Sequence, residues 1–392
     1  MRIMHVITRL ILGGAQENTL YTVLGLMRSG RHEVMLVTGP AIGPEGELLE
    51  RARRSGVNTR VLPHLRRRIC PYHDLLAFLS LSRLIHEFRP DIVHTHSSKA
   101  GVLGRLAARL LRVPVIVHTI HGLGFHPYQN APINWFYILL ERWCARYSDK
   151  LITVADAMMR QALAVRIGRP ELYRTIYSGL ELDAFLKDYD RGEVRRKFAL
   201  STDDLVIGKV ARLSDLKGHE FLLESFEEVA KAEPRAKLLL IGDGWKRRDY
   251  ERRLAKAGLA SRVVFAGLIP PEEVPAALHA MDLVVHTSLR EGLARVLPQA
   301  LLSGLAVISY DVDGAREVVI DGETGVLLAP KEVKGLASAI LRLLGSPELR
   351  ERLGRAGRSR FASVFDVRLM NEKIERLYAE LLHTKRPAEA SG

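Results

Sequence analysis

Short apolar runs of three to six residues alternate along the chain with longer stretches whose apolar positions recur every three or four residues. The runs have strand length, and the longer stretches have the helical period. Strands are expected at residues 3–7, 33–37, 58–62, 92–94, 115–118, 151–154 and 173–176, with helices over 15–27, 72–88 and 134–147 between them. The rhythm pauses over 180–202, a polar, charged segment expected to be a linker with a short helix. It then restarts, with strands at 205–210, 237–241, 263–265, 283–286, 306–309 and 325–328 and helices at 219–231, 247–256, 274–280, 293–302, 333–344 and 348–361. Strands separated by helices wind into parallel sheets through right-handed crossovers. The pattern therefore predicts an α/β protein of two successive Rossmann-like, doubly wound domains, residues 1–182 and 183–367. A C-terminal helix over 368–383 is expected to pack back toward the first domain, with an unstructured tail at 384–392. Ligands of such sheets bind beyond the carboxyl ends of the strands, and a cleft between two facing domains is a favoured place for a pocket.

Composition changes this picture little. A chain of 392 residues exceeds what one hydrophobic core fills, and 47% hydrophobic with 26% charged residues is the balance of a folded globular protein. Cys70 and Cys144 have no metal-ligand spacing and make no disulfide framework, which fits a reducing cytoplasm. The first apolar stretch is broken by His5 and Arg9 and closed by Gly13-Gly14, so a strand and turn are expected there instead of a secretory segment. Residues 113–140 lack charged side chains but hold three histidines and three prolines, which excludes a membrane span.

Charge adds more. The net charge of +13 divides into +11 over residues 1–182 and +2 over the remainder. A basic half attracts anions. Arginines at 66–68 precede an amphipathic stretch ending near residue 88, so contact with the anionic inner face of a membrane is expected, as a peripheral attachment. Nucleic acid is not expected as a partner, because there is no zinc spacing and no basic run interleaved with aromatics.

Three motifs fall at expected strand ends. Gly13-Gly14-Ala15-Gln16 follows the first strand, where two glycines permit a tight turn and the next helix aims its first amides outward, a place suited to phosphate. Arg212 and Lys217, five residues apart in Ala211-Arg212-Leu213-Ser214-Asp215-Leu216-Lys217-Gly218, leave the first strand of the second domain. A planar guanidinium fork and a compact ammonium both suit phosphate oxygens. The run from Arg290 to Ala300 places Glu291 in the loop at an expected helix start, with Arg295 one turn before Gln299 and Gln299 about two turns in. A carboxylate there accepts hydrogen bonds from sugar hydroxyls and is favoured by the helix dipole. His121 follows the strand at 115–118; His118, on the strand, is expected to be a satisfied core histidine.

Taken in order, the glycine pair, the Arg-Leu-x-x-x-Lys-Gly segment, the Glu-Gly-Leu segment, and the supporting runs Pro90 to His96, Tyr177-Ser178-Gly179, Ile241 to Gly244, Val264 to Gly267 and Asp313 to Glu317 resemble family 4 of the retaining glycosyltransferases, which have the GT-B fold. The resemblance spans residues 1–382. It implies two facing Rossmann-like domains with a cleft between them. It also implies transfer of a sugar, with retention and without a metal, from a nucleotide-sugar donor to a carbohydrate or lipid-linked acceptor, in cell-surface polysaccharide or glycolipid synthesis. The only cosubstrate implied is that donor, with no separate cofactor, and a UDP-sugar is favoured. Arg212 and Lys217 are implied to hold the diphosphate, Glu291 the donor sugar, Gly267 and Leu268 the base, and His121 the transferred sugar or the acceptor. Gly13 and Gly14 are expected to lend amides to the leaving group. Gln299 stands where the family carries a second glutamate against the ribose, and Ser178 where it often has asparagine. A neutral amide still bonds a ribose diol but supplies no charge-assisted bond. Loops at 122–130 and 42–47 are expected to touch the acceptor. Asp311-Val312-Asp313 has the spacing of a metal motif but falls within the family's Asp-x-Gly-Gly-x-x-Glu region, so no metal site is expected. A nucleotide-sugar epimerase or a sugar phosphorylase on the same fold is the alternative. Sequence leaves open the acceptor, the sugar, the choice among uridine, guanosine and adenosine nucleotides, and the oligomeric state.

Overall fold

The computed structural model describes residues 1–41 and 48–385; the expected acceptor loop at 42–47 and residues 386–392 lie outside the described residues. The chain forms two compact units, Met1–Gly179 together with Val367–Gly392, and Leu180–Asp366.

The first unit runs β1 (Arg2–Ile7), α1 (Gly14–Arg28), β2 (Glu33–Thr38), α2 (Leu49–Arg54), β3 (Asn58–Val61), α3 (Pro71–Phe88), β4 (Ile92–His96), α4 (Ser98–Leu110), β5 (Val115–Ile120), α5 (Ala131–Ala145), β6 (Lys150–Thr153), α6 (Asp156–Ala164) and β7 (Tyr173–Thr175). Its sheet is parallel, in the order β3-β2-β1-β4-β5-β6-β7, so the winding reverses between β1 and β4. Helices cover both faces, which is why strands such as β1 and β4 are apolar or buried almost throughout. Alternation sorts their side chains: Ile3 and Ile7 join one core with Leu20, Val23 and Ile92, while Met4 and Val6 join another with Leu81, Ile85 and Val93.

The second unit runs α7 (Leu182–Leu186), α8 (Arg191–Lys197), β8 (Leu205–Val210), α9 (His219–Ala232), β9 (Ala236–Ile241), α10 (Arg247–Lys256), β10 (Val263–Gly267), α11 (Val274–Leu278), β11 (Leu283–His286), α12 (Val296–Leu302), β12 (Ala306–Tyr310), β13 (Gly325–Leu328), α13 (Val333–Leu344) and α14 (Pro347–Phe361). Its sheet order is β10-β9-β8-β11-β12-β13, with the reversal between β8 and β11.

The last helix, α15 (Val367–Lys385), returns to the first unit. Met370, Ile374, Leu377 and Tyr378 repeat at helical spacing and are buried in the core beside Ile3 and Val23. Asn18 on α1 fixes the junction: its Nδ2 donates to Ser178 Oγ at 2.8 Å and lies 3.4 Å from Met370 Sδ.

Three expectations need correction. Residues 180–202 are not a free linker. They hold α7 and α8 and belong to the second unit, because Arg195 is buried there with its guanidinium on the carbonyls of Ala280, Ser201 and Thr202 and on Asp282 Oδ2 at 2.8 Å. Thr384 and Lys385, expected in an unstructured tail, are the last residues of α15. The helix after Glu291 begins at Val296, which leaves Glu291 in the preceding loop and Gln299 only one turn in. The helix α4 had no counterpart in the apolar pattern, since Gly101 and Gly104 weaken its helical signal. Both glycines serve close packing: a β-carbon would fall 2.6 Å from His118 Cε1 at Gly101 and 2.5 Å from Thr95 Cγ2 at Gly104. Among the described residues, no helix is long and apolar enough to cross a membrane.

Candidate active site

The loops after β8 and β11 leave the second sheet at its winding reversal, the place where open α/β sheets hold ligands. They are zipped together. Leu289 N donates to Leu216 O at 2.9 Å, and Thr287 Oγ1 donates to Gly218 O at 2.6 Å. Gly218 has φ +65°, and its Cα sits so close to Thr287 that a β-carbon would lie 1.9 Å from the Thr287 carbonyl oxygen. Only glycine meets both conditions. The result is that Lys217 Nζ donates to Glu291 Oε1 at 2.5 Å.

Glu291 is shaped from three sides. Its side chain is 19% exposed. Burial alone raises its carboxyl pKa, but the Lys217 charge and hydrogen bond outweigh that and bring it down to about 2. Its backbone N–H donates to Asp313 Oδ2 at 2.6 Å, and Gly314 N donates to Gly292 O at 3.1 Å, so the loop after β12 braces the Glu291-Gly292 turn. Asp311 pairs with Arg316, so the two aspartates of the Asp-x-Asp run have separate structural partners. The ionised state of Glu291 thus comes from a fixed cation and not from the helix end, which lies four residues further on.

Beneath this pair lie groups that sequence did not single out. Lys209 on β8 is fully buried and donates to Thr287 Oγ1 at 2.9 Å; burial, with the nearby Lys217 charge, pushes its ammonium down to about 7. His286 ends β11 with its Nε2 3.7 Å from Glu291 Oε1, and burial holds it at about 3. A lysine inside the apolar run of β8 was the visible signal. The other expected donor-site residues stand at the same carboxyl edge. Arg212 is half-buried just past β8, and Gln299 is half-buried in the first turn of α12. Gly267 ends β10 at φ +71° and accepts the Gly242 N–H at 2.8 Å, while Leu268 beside it is exposed. Lys217 and Glu291 are in direct contact; the remainder are placed by neighbouring strand ends.

In the first unit the reversal lies between β1 and β4. Gly13, with extended backbone, caps α1, and Gly14 is its exposed first residue. Thr8 and Ser97 hydroxyls meet at 2.8 Å and hold the two loops together. His121 lines a cavity of about 230 Å³ with Ser97, Ser98, His118 and Glu141. Glu141 is held by the buried Arg105 at 2.8 Å. His118 is a satisfied core residue, with Nδ1 2.8 Å from Thr95 Oγ1. Behind His121 lies a row of histidines missed as a group, although His5, His94 and His96 alternate onto one face of β1 and β4. His96 Nδ1 is 3.1 Å from His121 Nε2, and His96 Nε2 is 3.0 Å from His5 Nδ1. His94 meets Tyr378 Oη at 2.5 Å and Thr119 Oγ1 at 2.7 Å. His5, His94 and His96 are close enough together to suggest a metal triad, yet both nitrogens of His94 and the facing nitrogens of His5 and His96 are already hydrogen-bonded.

Known proteins place these sites in context. Residues 13–179 match the family profile described as glycosyl transferase 4-like domain, and residues 190–360 match that of glycosyl transferases group 1. A UDP-Gal:alpha-D-GlcNAc-diphosphoundecaprenol alpha-1,3-galactosyltransferase of Escherichia coli is 26% identical over 98% of each chain. The 2-deoxystreptamine glucosyltransferase of Streptomyces kanamyceticus is 30% identical over 81% of this chain and 88% of that one. The structure of Anabaena HepE in complex with UDP and glucose superposes with a TM-score of 0.84 at 22% identity, covering 97% of this chain and 99% of that one. Two wound parallel sheets and this fold likeness define a GT-B protein. Within that fold the chain belongs to the glycosyltransferases, of the family 4 type, and is a glycosyltransferase enzyme. The epimerase and phosphorylase alternatives find no support in these relatives.

Proposed function

We propose that the protein moves a sugar, with retention of anomeric configuration, from a UDP-sugar held by the second unit to a lipid-linked or carbohydrate acceptor. The observation that carries this is the Lys217–Glu291 pair at the winding reversal of the second sheet. Fixed cations can stabilise the diphosphate as the bond from its oxygen to the anomeric carbon breaks, the role a preorganised charge performs best. Lys217 and Arg212 take that part. Glu291, ionised and immobilised, accepts hydrogen bonds from the donor sugar. Gln299 bonds the ribose, Gly267 and Leu268 hold the base, and His121 faces the transferred sugar or the acceptor. The acceptor hydroxyl forms the new bond to the anomeric carbon and gives its proton to the leaving phosphate oxygen. Protein charge serves in place of a metal. Support for the donor comes from HepE, solved with UDP, with UDP and glucose, and with UDP-glucose, and from the UDP-Gal-dependent relative. Family membership supports retention. Incubation with labelled UDP-sugars and lipid-linked sugar acceptors, followed by NMR of the product linkage, tests it. An axial donor linkage kept in the product is expected; an inverted linkage, or isomerised sugar without transfer, overturns it.

The same reading includes an anionic bilayer as the surface on which the enzyme works. In the first unit α4 packs between α3 and α5, and the outer helices carry exposed apolar stripes: Tyr72, Leu75 and Leu79 on α3, and Trp135, Phe136 and Leu139 on α5. An exposed apolar face of this kind is uncommon on a surface that meets only water. Residues 65–147 hold eleven Lys and Arg against four Asp and Glu, so the charge around it complements anionic headgroups. The relative from Escherichia coli is named for a diphosphoundecaprenol acceptor, which supports a membrane-borne substrate. Wild-type protein is expected to float with phosphatidylglycerol vesicles in low salt. Trp135→Ser with Phe136→Ser should lower the bound fraction about tenfold or more, since burying each aromatic contributes roughly 1.5–3 kcal/mol. Wild type that stays with the soluble fraction, or that self-associates through this face, contradicts the bilayer as occupant.

A further inference from the structure

The strand β8 reads Leu-Val-Ile-Gly-Lys-Val, and its lysine has no exposed surface. Lysine is seldom buried in full without a carboxylate to pair with. Among the described residues Lys209 makes no ion pair, and its one hydrogen bond goes to Thr287 Oγ1 at 2.9 Å. An ammonium has three donors and no lone pair, so in that bond it must donate. The Thr287 hydroxyl then places its own proton on Gly218 O at 2.6 Å. The direction of this chain, from Lys209 through Thr287 to Gly218, is set by the charge on Lys209. As a neutral amine Lys209 has a lone pair, and the hydroxyl can turn to donate to it. Gly218 O would then keep only the long bond from Leu222 N at 3.4 Å. Gly218 directly follows Lys217, and Thr287 lies shortly before Glu291. The chain therefore ties the loop that carries one member of the pair to the loop that carries the other.

The charged and titratable groups around Lys209 come from two sides. Lys217, His219 and Glu220 belong to the loop after β8 and the start of α9, and His286 and Glu291 to the end of β11 and its loop. On the other flank β9 sets Leu240 opposite Lys209. Burial holds His219 well below the ordinary imidazole range and His286 at about 3. Glu291, raised by burial but lowered further by Lys217, stays at about 2. These three groups keep one state through neutral pH. Lys209, brought to about 7 by burial and the Lys217 charge, does not.

We propose that Lys209 is a positioning residue of the donor site: its ammonium fixes the Thr287 hydroxyl on Gly218 and so holds Lys217 and Glu291 at the spacing that binds the nucleotide-sugar. The proposal rests on the donor reading given above for that pair. Stability and binding then respond to pH with opposite signs. The lysine is lowered from 10.5 to about 7 in the folded chain, so the unfolded chain holds the proton more tightly. Its unfavourable contribution to stability is full at low pH and eases as pH rises through about 7. Donor binding weakens over the same range. A lysine that served stability alone would move both together.

Calorimetric titration of the full chain with UDP-glucose and UDP-galactose at about pH 6 and about pH 8 reads the effect, because the diester diphosphate of these donors loses no proton between the two. Wild type should bind its UDP-sugar about three- to tenfold more weakly at the higher pH; about tenfold is the whole fall in ammonium fraction for a group at about 7. Lys209→Met should bind at both values as weakly as wild type does at the higher one. Its thermal midpoint at the lower pH should be no lower than that of wild type, since an apolar side chain of similar length replaces an unpaired buried charge. Thr287→Ser keeps the hydroxyl and should keep the pH dependence. Thr287→Val removes the hydroxyl and should abolish it, which gives a second route if Lys209→Met does not fold. Equal affinity of wild type at the two pH values, or a pH dependence that survives in Lys209→Met or Thr287→Val, overturns the role of Lys209. Wild type that binds neither UDP-sugar at either pH overturns the donor reading itself, and the proposal with it.

Discussion

Lys217→Ala is expected to lower kcat/KM at least tenfold and toward a hundredfold, with the fold retained. Two effects combine. The variant removes the ammonium assigned to the diphosphate, and losing one preorganised charge donor from a transition state costs about 100-fold in comparable sites. It also leaves Glu291 mostly buried without its counter-charge, so the carboxyl is no longer held down near 2. Lys217→Arg keeps the charge but not the compact geometry and should recover part of the loss. Steady-state rates with circular dichroism on each variant check this. Wild-type kcat/KM in a folded Lys217→Ala protein would remove Lys217 from the site.

Gly218→Ala should be the most damaging single methyl in the second unit. The position has φ +65°, and the added carbon would meet the Thr287 carbonyl oxygen at 1.9 Å. Left-handed strain alone costs about 1–2 kcal/mol. The clash is with backbone and cannot be relieved by a rotamer, so a total of roughly 3 kcal/mol or more is expected. Parting the two loops also parts Lys217 from Glu291, so activity should fall together with stability. Gly258→Ala is the control. It has φ +69° with open space around it, and should lose only about 1–2 kcal/mol with activity intact. Urea unfolding of both variants gives the comparison; equal losses would show that strain, and not the packing of the Thr287 loop, sets the cost.

Each strand of the two sheets was legible because parallel strands buried on both faces leave continuous apolar runs, and the intervening helices show their period. Where the signal failed, packing had overridden propensity. The helix α4 hides behind glycines that let it approach Thr95 and His118, and the segment 180–202 looks like a linker until the buried contacts of Arg195 are seen. The site was legible in parts. Lys217 and Glu291 were named from their motifs, but their contact across seventy-four residues depends on the zipped loops and on Gly218. Lys209, His286 and the His5–His96–His121 row carry no local motif. They become a set only when strand order brings β1, β4 and β5, or β8 and β11, side by side. The Glu291 helix was misplaced by three residues because Leu293 and Ala294 continue the apolar pattern into what is a turn.

The central claim is that the unit Leu180–Asp366 binds a nucleotide-sugar through Lys217 and Glu291. Calorimetric titration of wild type and Lys217→Ala with UDP-glucose, UDP-galactose and GDP-mannose tests it most directly, since binding needs no acceptor. A UDP-sugar should bind the wild type and bind Lys217→Ala at least tenfold more weakly, a loss of about 1.4 kcal/mol or more. Equal affinity in the two proteins, or no binding of any of the three to the wild type, would contradict it.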